Sequence, residues 1–307
     1  MTTATPTTPA RQFKLKAEDR PAGSMTQSEA IQHHYDNDTR FFSLWLDPSL
    51  TYSSGRWFDP ITGADLAADL TAAQDEKLRF HLDAAKVEAG TRLIDIGCGW
   101  GATLRGASQD RGAAYALGLT LSNDQLSHIE SQGWPNVEAR LQDAYTFTTD
   151  EPFTAAISIG AFEHFAKPNM TRPEKIEIYA RFFETMAAAL TTGARFSLQT
   201  IVWEDVDFEH SNTSLPETVF PESSIPYIEE VVEASAQTFR LVYLENDPKH
   251  YATTLQHWIN NIKARQDDII AEWGEEKYNF FYDYLRYSRL AFTRRKNSLA
   301  RFVLQKR

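Results

Sequence analysis

Cysteine is nearly absent: one thiol, Cys98, serves 307 residues. A lone cysteine excludes an intramolecular disulfide and a cysteine-based metal cluster. Long apolar runs are missing too. Stretches such as 157–162 and 187–190 fall far short of the roughly 20 residues that cross a bilayer, so no transmembrane span is predicted. Positive charge is scarce, with 31 Lys and Arg against 42 Asp and Glu and a net charge of -11. Gripping a phosphate backbone needs Lys and Arg clustered on one face, so no nucleic-acid partner is expected. The one basic cluster is Arg286, Arg289, Arg294, Arg295, Lys296 and Arg301. It reads as a solvated helix and strand edge, with an anion site for a phosphorylated substrate or lipid head group as the alternative. Residues 1–10 are rich in Thr, Pro and Ala and hold no apolar stretch. That composition predicts a disordered tail over 1–25 in place of a signal peptide, and cytoplasmic residence.

What the chain does have is enough apolar matter for a full core: 42% hydrophobic and 12% aromatic residues. Three zones separate along it. Residues 26–90 form an N-terminal cap, with a mixed helical pattern over 28–46, a loop over 51–57 and a helix over 64–85. Strands and helices then alternate, as in a parallel sheet covered on both faces. Strands are predicted over 92–96, 114–120, 137–141, 153–159 and 194–201, and helices over 102–110, from 122 and over 173–190. The third zone holds a partly helical insertion within 203–235, closing strands over 239–246 and 300–305, and an aromatic-rich helical stretch over 251–290. Most of its aromatics are expected to pack a core, and the rest to wall an apolar tunnel.

The sequence Leu93-Ile94-Asp95-Ile96-Gly97-Cys98-Gly99-Trp100-Gly101 runs an apolar strand into three glycines at alternate positions. Glycines there let the chain turn tightly and let its backbone touch a ligand. A dinucleotide fold would show G-x-G-x-x-G to hold a pyrophosphate. The G-x-G-x-G spacing instead resembles the cofactor loop of S-adenosylmethionine (SAM) dependent methyltransferases. Other segments agree in order and spacing: 32–36 (Gln-His-His-Tyr-Asp), 42–48, Thr51-Tyr52-Ser53-Ser54, 118–122, 158–165 with Glu163-His164, and 250–255. Together they closely resemble the cyclopropane fatty acid synthase and mycolic acid methyltransferase family, from about residue 28 to the C-terminus.

The resemblance implies an α/β fold: a SAM methyltransferase Rossmann-like, mostly parallel seven-stranded sheet over 91–307, with a helical cap and substrate-covering insertions at about 203–235 and 251–290. It implies that Tyr52 and Ser53 contact the methionine end of SAM, with Gly97 and Gly99 against it, and that Asp95 also binds the cofactor. Thr120, Leu121 and Gln125 would flank the ribose and adenosine, and Asp143 and Ala144 the adenine edge. Family members attack the SAM methyl with an alkene and then deprotonate the resulting cation, to close a cyclopropane or leave a new alkene. The acceptor is a bicarbonate held by a Cys, the Glu of the Glu-His motif, a His and a C-terminal Tyr. Here Glu163 and Tyr284 remain, while Ser54 stands at the Cys position and Gln199 at the His position. Either bicarbonate persists with altered ligands, or Glu163 takes the proton directly; two changes at one site favour the second. A strand-end glutamate among apolar neighbours has the raised pKa that suits a base.

The expected reaction is therefore C-methylation of an apolar lipid or isoprenoid alkene. The alternatives are a cyclopropane-forming acyl-lipid synthase and a SAM-binding protein without turnover. No protein metal site is predicted, although a prenyl diphosphate substrate would bring Mg2+ with it. A homo-oligomer is left open.

Overall fold

The computed structural model describes residues 39–204 and 224–307. The expected tail over 1–25, the 32–36 motif and most of the 203–235 insertion lie outside the described residues. Seven strands form one sheet: β1 (Arg92–Ile96), β2 (Tyr115–Thr120), β3 (Val137–Leu141), β4 (Phe153–Ile159), β5 (Leu190–Trp203), β6 (Phe239–Asn246) and β7 (Asn297–Lys306). Their order is β3-β2-β1-β4-β5-β7-β6. The first five run parallel, and β7 is antiparallel to β5 and β6. This is the helix-covered parallel sheet that the alternating pattern predicted, and the mostly parallel, seven-stranded Rossmann-like α/β fold that the resemblance implied.

Side chains alternate between two covered faces in the central strands β1, β2 and β4, which is why these read as nearly unbroken apolar runs. Ile94, Ile96, Leu117, Leu119 and Ala156 turn into one core with Phe162, Phe182 and Phe196. Leu93, Ala116, Ala155 and Ile157 turn the other way, against Leu82, Leu104 and Ile129. Helices cover the sheet: α1 (Thr39–Ser43), α2 (Leu70–Ala84), α3 (Ala102–Arg105, continued by a π-helical turn over Gly106–Asp110), α4 (Asn123–Gln132), α5 (Arg172–Ala189), α6 (Ile228–Ser235), α7 (Pro248–Ala264), α8 (Gln266–Trp273) and α9 (Glu275–Thr293). A third, aromatic cluster joins Phe41, Phe42 and Trp45 to Trp258 and Phe281, and reaches the glycine loop through Trp100.

Four boundaries or placements differ from the sequence reading. The helix expected over 64–85 starts at Leu70, because Asp69 caps it by accepting a bond from Ala72 N at 2.9 Å, while Asp65 bridges Phe58 in extended backbone. Strand β5 begins at Leu190, ahead of the expected residue 194, with a shift of register opposite 153–155. Strand β7 begins at Asn297, ahead of the expected residue 300. Arg301 is no part of a solvated edge: β7 lies between β5 and β6, and Arg301 is 0% exposed, paired with Glu245. Among the described residues, no helix is long and apolar enough to cross a membrane.

Candidate active site

Strand order reverses between β1 and β4, and in open sheets ligands settle outside the carboxyl ends at such a switch. A cavity of about 1160 Å3, its open mouth included, lies there. The glycine loop forms its floor. Gly97 (φ +73°) donates its N–H to Leu119 O at 2.9 Å, and a Cβ on it would sit 2.5 Å from the Ala161 Cβ. Gly99 (φ +56°) presents bare backbone with open space where a side chain would be. Next along the wall, Thr120 donates to Gln125 Oε1 at 2.6 Å, beside Leu121. Asp143 accepts from Tyr145 N at 2.9 Å and so fixes the turn that carries Ala144. Tyr52 and Ser53 enter from the loop before α2, and Asp95 from β1. All ten residues expected to face the cofactor line this one cavity.

Sequence reasoning missed Lys77, which lines the cavity as well. It is fully buried and donates to Ser53 Oγ at 2.9 Å. Burial lowers its pKa to about 7, against the pull of Asp47. Burial likewise raises the Asp95 carboxyl to about 7, opposed by Thr103 and Lys77. The signal was present in the sequence: Gln74, Lys77 and His81 recur at helical spacing on the buried stripe of α2. Gln74 ties that helix to the loop by donating to Ser53 O at 2.9 Å.

The four residues expected at the proton-accepting site divide into two groups. Glu163 lies in the turn after β4 and is 7% exposed. Its Oε1 accepts from Ile201 N at 2.6 Å, and its Oε2 has no hydrogen-bond partner among the described residues. Burial raises its pKa to about 7, opposed by the Ile201 N–H. The adjoining Ala161 and His164 line the cavity, and burial holds the His164 imidazole neutral with a pKa of about 4. Tyr284 is half-buried, close enough to Glu163 and Tyr52 to feel both, and desolvation raises its pKa. Tyr52 in turn packs within 5.5 Å of Phe42, Trp45 and Trp258, measured between ring centroids.

None of the four is itself part of the cavity lining, and Ser54 and Gln199 make their hydrogen bonds away from Glu163. Ser54 donates to Gly55 O at 3.0 Å. Gln199 donates to Ser54 O at 3.4 Å and accepts from Arg301 Nε at 2.8 Å. Arg301 also donates to Gly55 O at 3.1 Å and pairs with Glu245. Burial alone would raise the Glu245 pKa, but His250, Arg301 and Arg56 hold it well below the carboxylate range. This buried charge network clamps the 52–55 loop to the sheet. Among the described residues, no group of three His, Cys, Asp or Glu is placed to hold a metal.

A SAM molecule suits this cavity: the bare backbone at Gly99 admits close approach, and polar groups on three walls match an amino acid and a nucleoside. Fold and cavity define a SAM-dependent methyltransferase. The family profile of mycolic acid cyclopropane synthetase matches residues 23–302. Cyclopropane mycolic acid synthase 2 of Mycobacterium bovis is 32% identical over 296 residues, covering 91% of this chain and 94% of that protein. The solved cyclopropane synthase MmaA2 from Mycobacterium tuberculosis has a TM-score of 0.79 at 30% identity, covering 91% of this chain and 98% of that one. Mycolic acid cyclopropane synthase CmaA1, solved with S-adenosylhomocysteine (SAH) and CTAB, has a TM-score of 0.77 at 29% identity, with the same coverages. The chain belongs to the mycolic acid cyclopropane synthetase family.

Proposed function

We propose that this SAM-dependent methyltransferase methylates an alkene carbon of an apolar lipid or isoprenoid, with Glu163 removing the proton that completes the reaction. When bound, SAM supplies an electrophilic methyl group. Tyr52, Ser53, Asp95, Gly97 and Gly99 would hold its methionine end; Thr120, Leu121 and Gln125 the ribose and adenosine; Asp143 and Ala144 the adenine edge. Attack by the double bond on that methyl would break its bond to sulfur, release SAH and leave a cation on the acceptor chain. Aromatic faces stabilise cations within about 6 Å, and Tyr52 and Tyr284 belong to such a cluster beside the cavity. Loss of one proton to Glu163 would then turn the broken C–H pair into a new double bond and leave a neutral product.

The observation that carries this reading is Glu163: buried, accepting from Ile201 N, with no partner at its second oxygen among the described residues and a pKa near the working range of a general base. Ser54 and Gln199 act in this reading as supports of the 52–55 loop. The alternative is ring closure by a cyclopropane-forming acyl-lipid synthase with bicarbonate as acceptor, and the names of the relatives favour it. Incubation with SAM and unsaturated acyl lipids or isoprenoids, followed by mass spectrometry, decides between them. Both products gain one CH2. A methylated alkene still takes up hydrogen under mild hydrogenation, whereas a cyclopropane does not. A hydrogenation-resistant product would overturn the proposal in favour of ring closure.

A further inference from the structure

Lys77 sits in the middle of α2 with no exposed surface, yet it lines the cofactor cavity. An ammonium carries three donors and no acceptor. Here one donor meets Ser53 Oγ, and no carboxylate pairs with the group among the described residues. The nearest charges are already occupied or opposed. Asp47 spends its oxygens on the turn at Ser49 and Thr51, Asp95 is held by Thr103, and Arg301 and the buried, uncharged His81 lie behind. Taking an ammonium out of water costs several kcal/mol unless an anion meets it. Packing alone would be served better by Leu or Met. SAM has a single anionic group, the α-carboxylate; its adenine, ribose and sulfonium offer no negative charge.

We propose that Lys77 is the anchor for the α-carboxylate of SAM, positioned by its bond to Ser53, with Asp95 of opposite charge lining the same cavity. The assignment rests on SAM occupying this cavity. Lys77 thereby sorts ligands by their amino-acid end and not by their nucleoside. It is a binding residue, and its contribution is independent of the methyl acceptor.

Isothermal titration calorimetry on the full chain tests this, with SAH and with 5′-methylthioadenosine, which keeps the nucleoside and thioether but lacks the amino acid. Lys77→Met is expected to weaken SAH by about 10- to 100-fold, the worth of one charge-assisted bond, and to change 5′-methylthioadenosine less than threefold. Lys77→Arg should recover part of the SAH affinity. Equal losses for both ligands, or none for SAH, would overturn the proposal. If the variants fail to fold, the wild-type protein decides: SAH esterified at its carboxylate should bind about tenfold or more weaker than SAH, and equal binding refutes the anchor. A wild-type protein that binds neither nucleoside overturns the SAM assignment itself, a result distinct from failure of Lys77.

Discussion

Glu163→Gln isolates the proton acceptor with the least disturbance. The amide oxygen can still accept from Ile201 N, so the turn after β4 keeps its anchor. The new amide N–H2 lies where Oε2 has no partner among the described residues, at a cost of about 1–3 kcal/mol. Against that stands the cost of the wild-type charge. A carboxyl moved by burial from 4.5 to about 7 makes its ionised form about 3 kcal/mol less favourable in the folded protein. The sign follows from the upward direction. Wild-type stability is fully present below pH 4.5 and falls as pH rises through about 7, whereas the variant has no such fall. At pH 8 the two terms nearly cancel and the variant should fold as well as wild type; at pH 5 it should be the less stable of the two. Turnover is where the variant should fail. Loss of a general base costs about 10²- to 10⁴-fold. Wild-type turnover should climb as the carboxylate fraction rises from about one tenth at pH 6 to about nine tenths at pH 8. The assay follows SAH release and the CH2-bearing product across that range, with SAH affinity as the control. A loss of less than tenfold, or a pH rise that persists in the variant, would refute the role of Glu163.

Other outcomes follow from the same geometry. Gly97→Ala forces a side chain into left-handed backbone and into contact with Ala161, so SAH binding measured by calorimetry should fall at least about tenfold. Arg301→Leu leaves Glu245 buried without its closest cation; chemical denaturation should show a loss of about 3–5 kcal/mol. Asp69→Ala removes the cap of α2 and should cost about 1 kcal/mol in the same experiment with little effect on SAH affinity.

The sequence by itself determined the sheet and the cofactor floor. Strands β1 and β4 fall where the apolar pattern placed them, because a strand buried on both faces leaves a local run of apolar residues; the edge strands β3 and β6, largely open on one side, also match their expected bounds. The glycine loop was equally local: alternate glycines after a strand allow few other backbones. Only the tertiary structure decided the charge network. Arg301 looks like one more surface cation in a basic segment, and becomes a core residue because β7 inserts between β5 and β6, opposite Glu245. Gln199 stands at a position expected to face the acceptor, yet its amide reaches for Arg301, from a segment roughly a hundred residues away. Lys77 is local in spacing but silent in meaning, since a lysine on a helix is ordinarily solvated. Its role depends on a loop and a strand that fold over it. Patterns of period two or 3.6 record which face is buried; what a buried charge meets depends on contacts between distant segments, which no local pattern encodes.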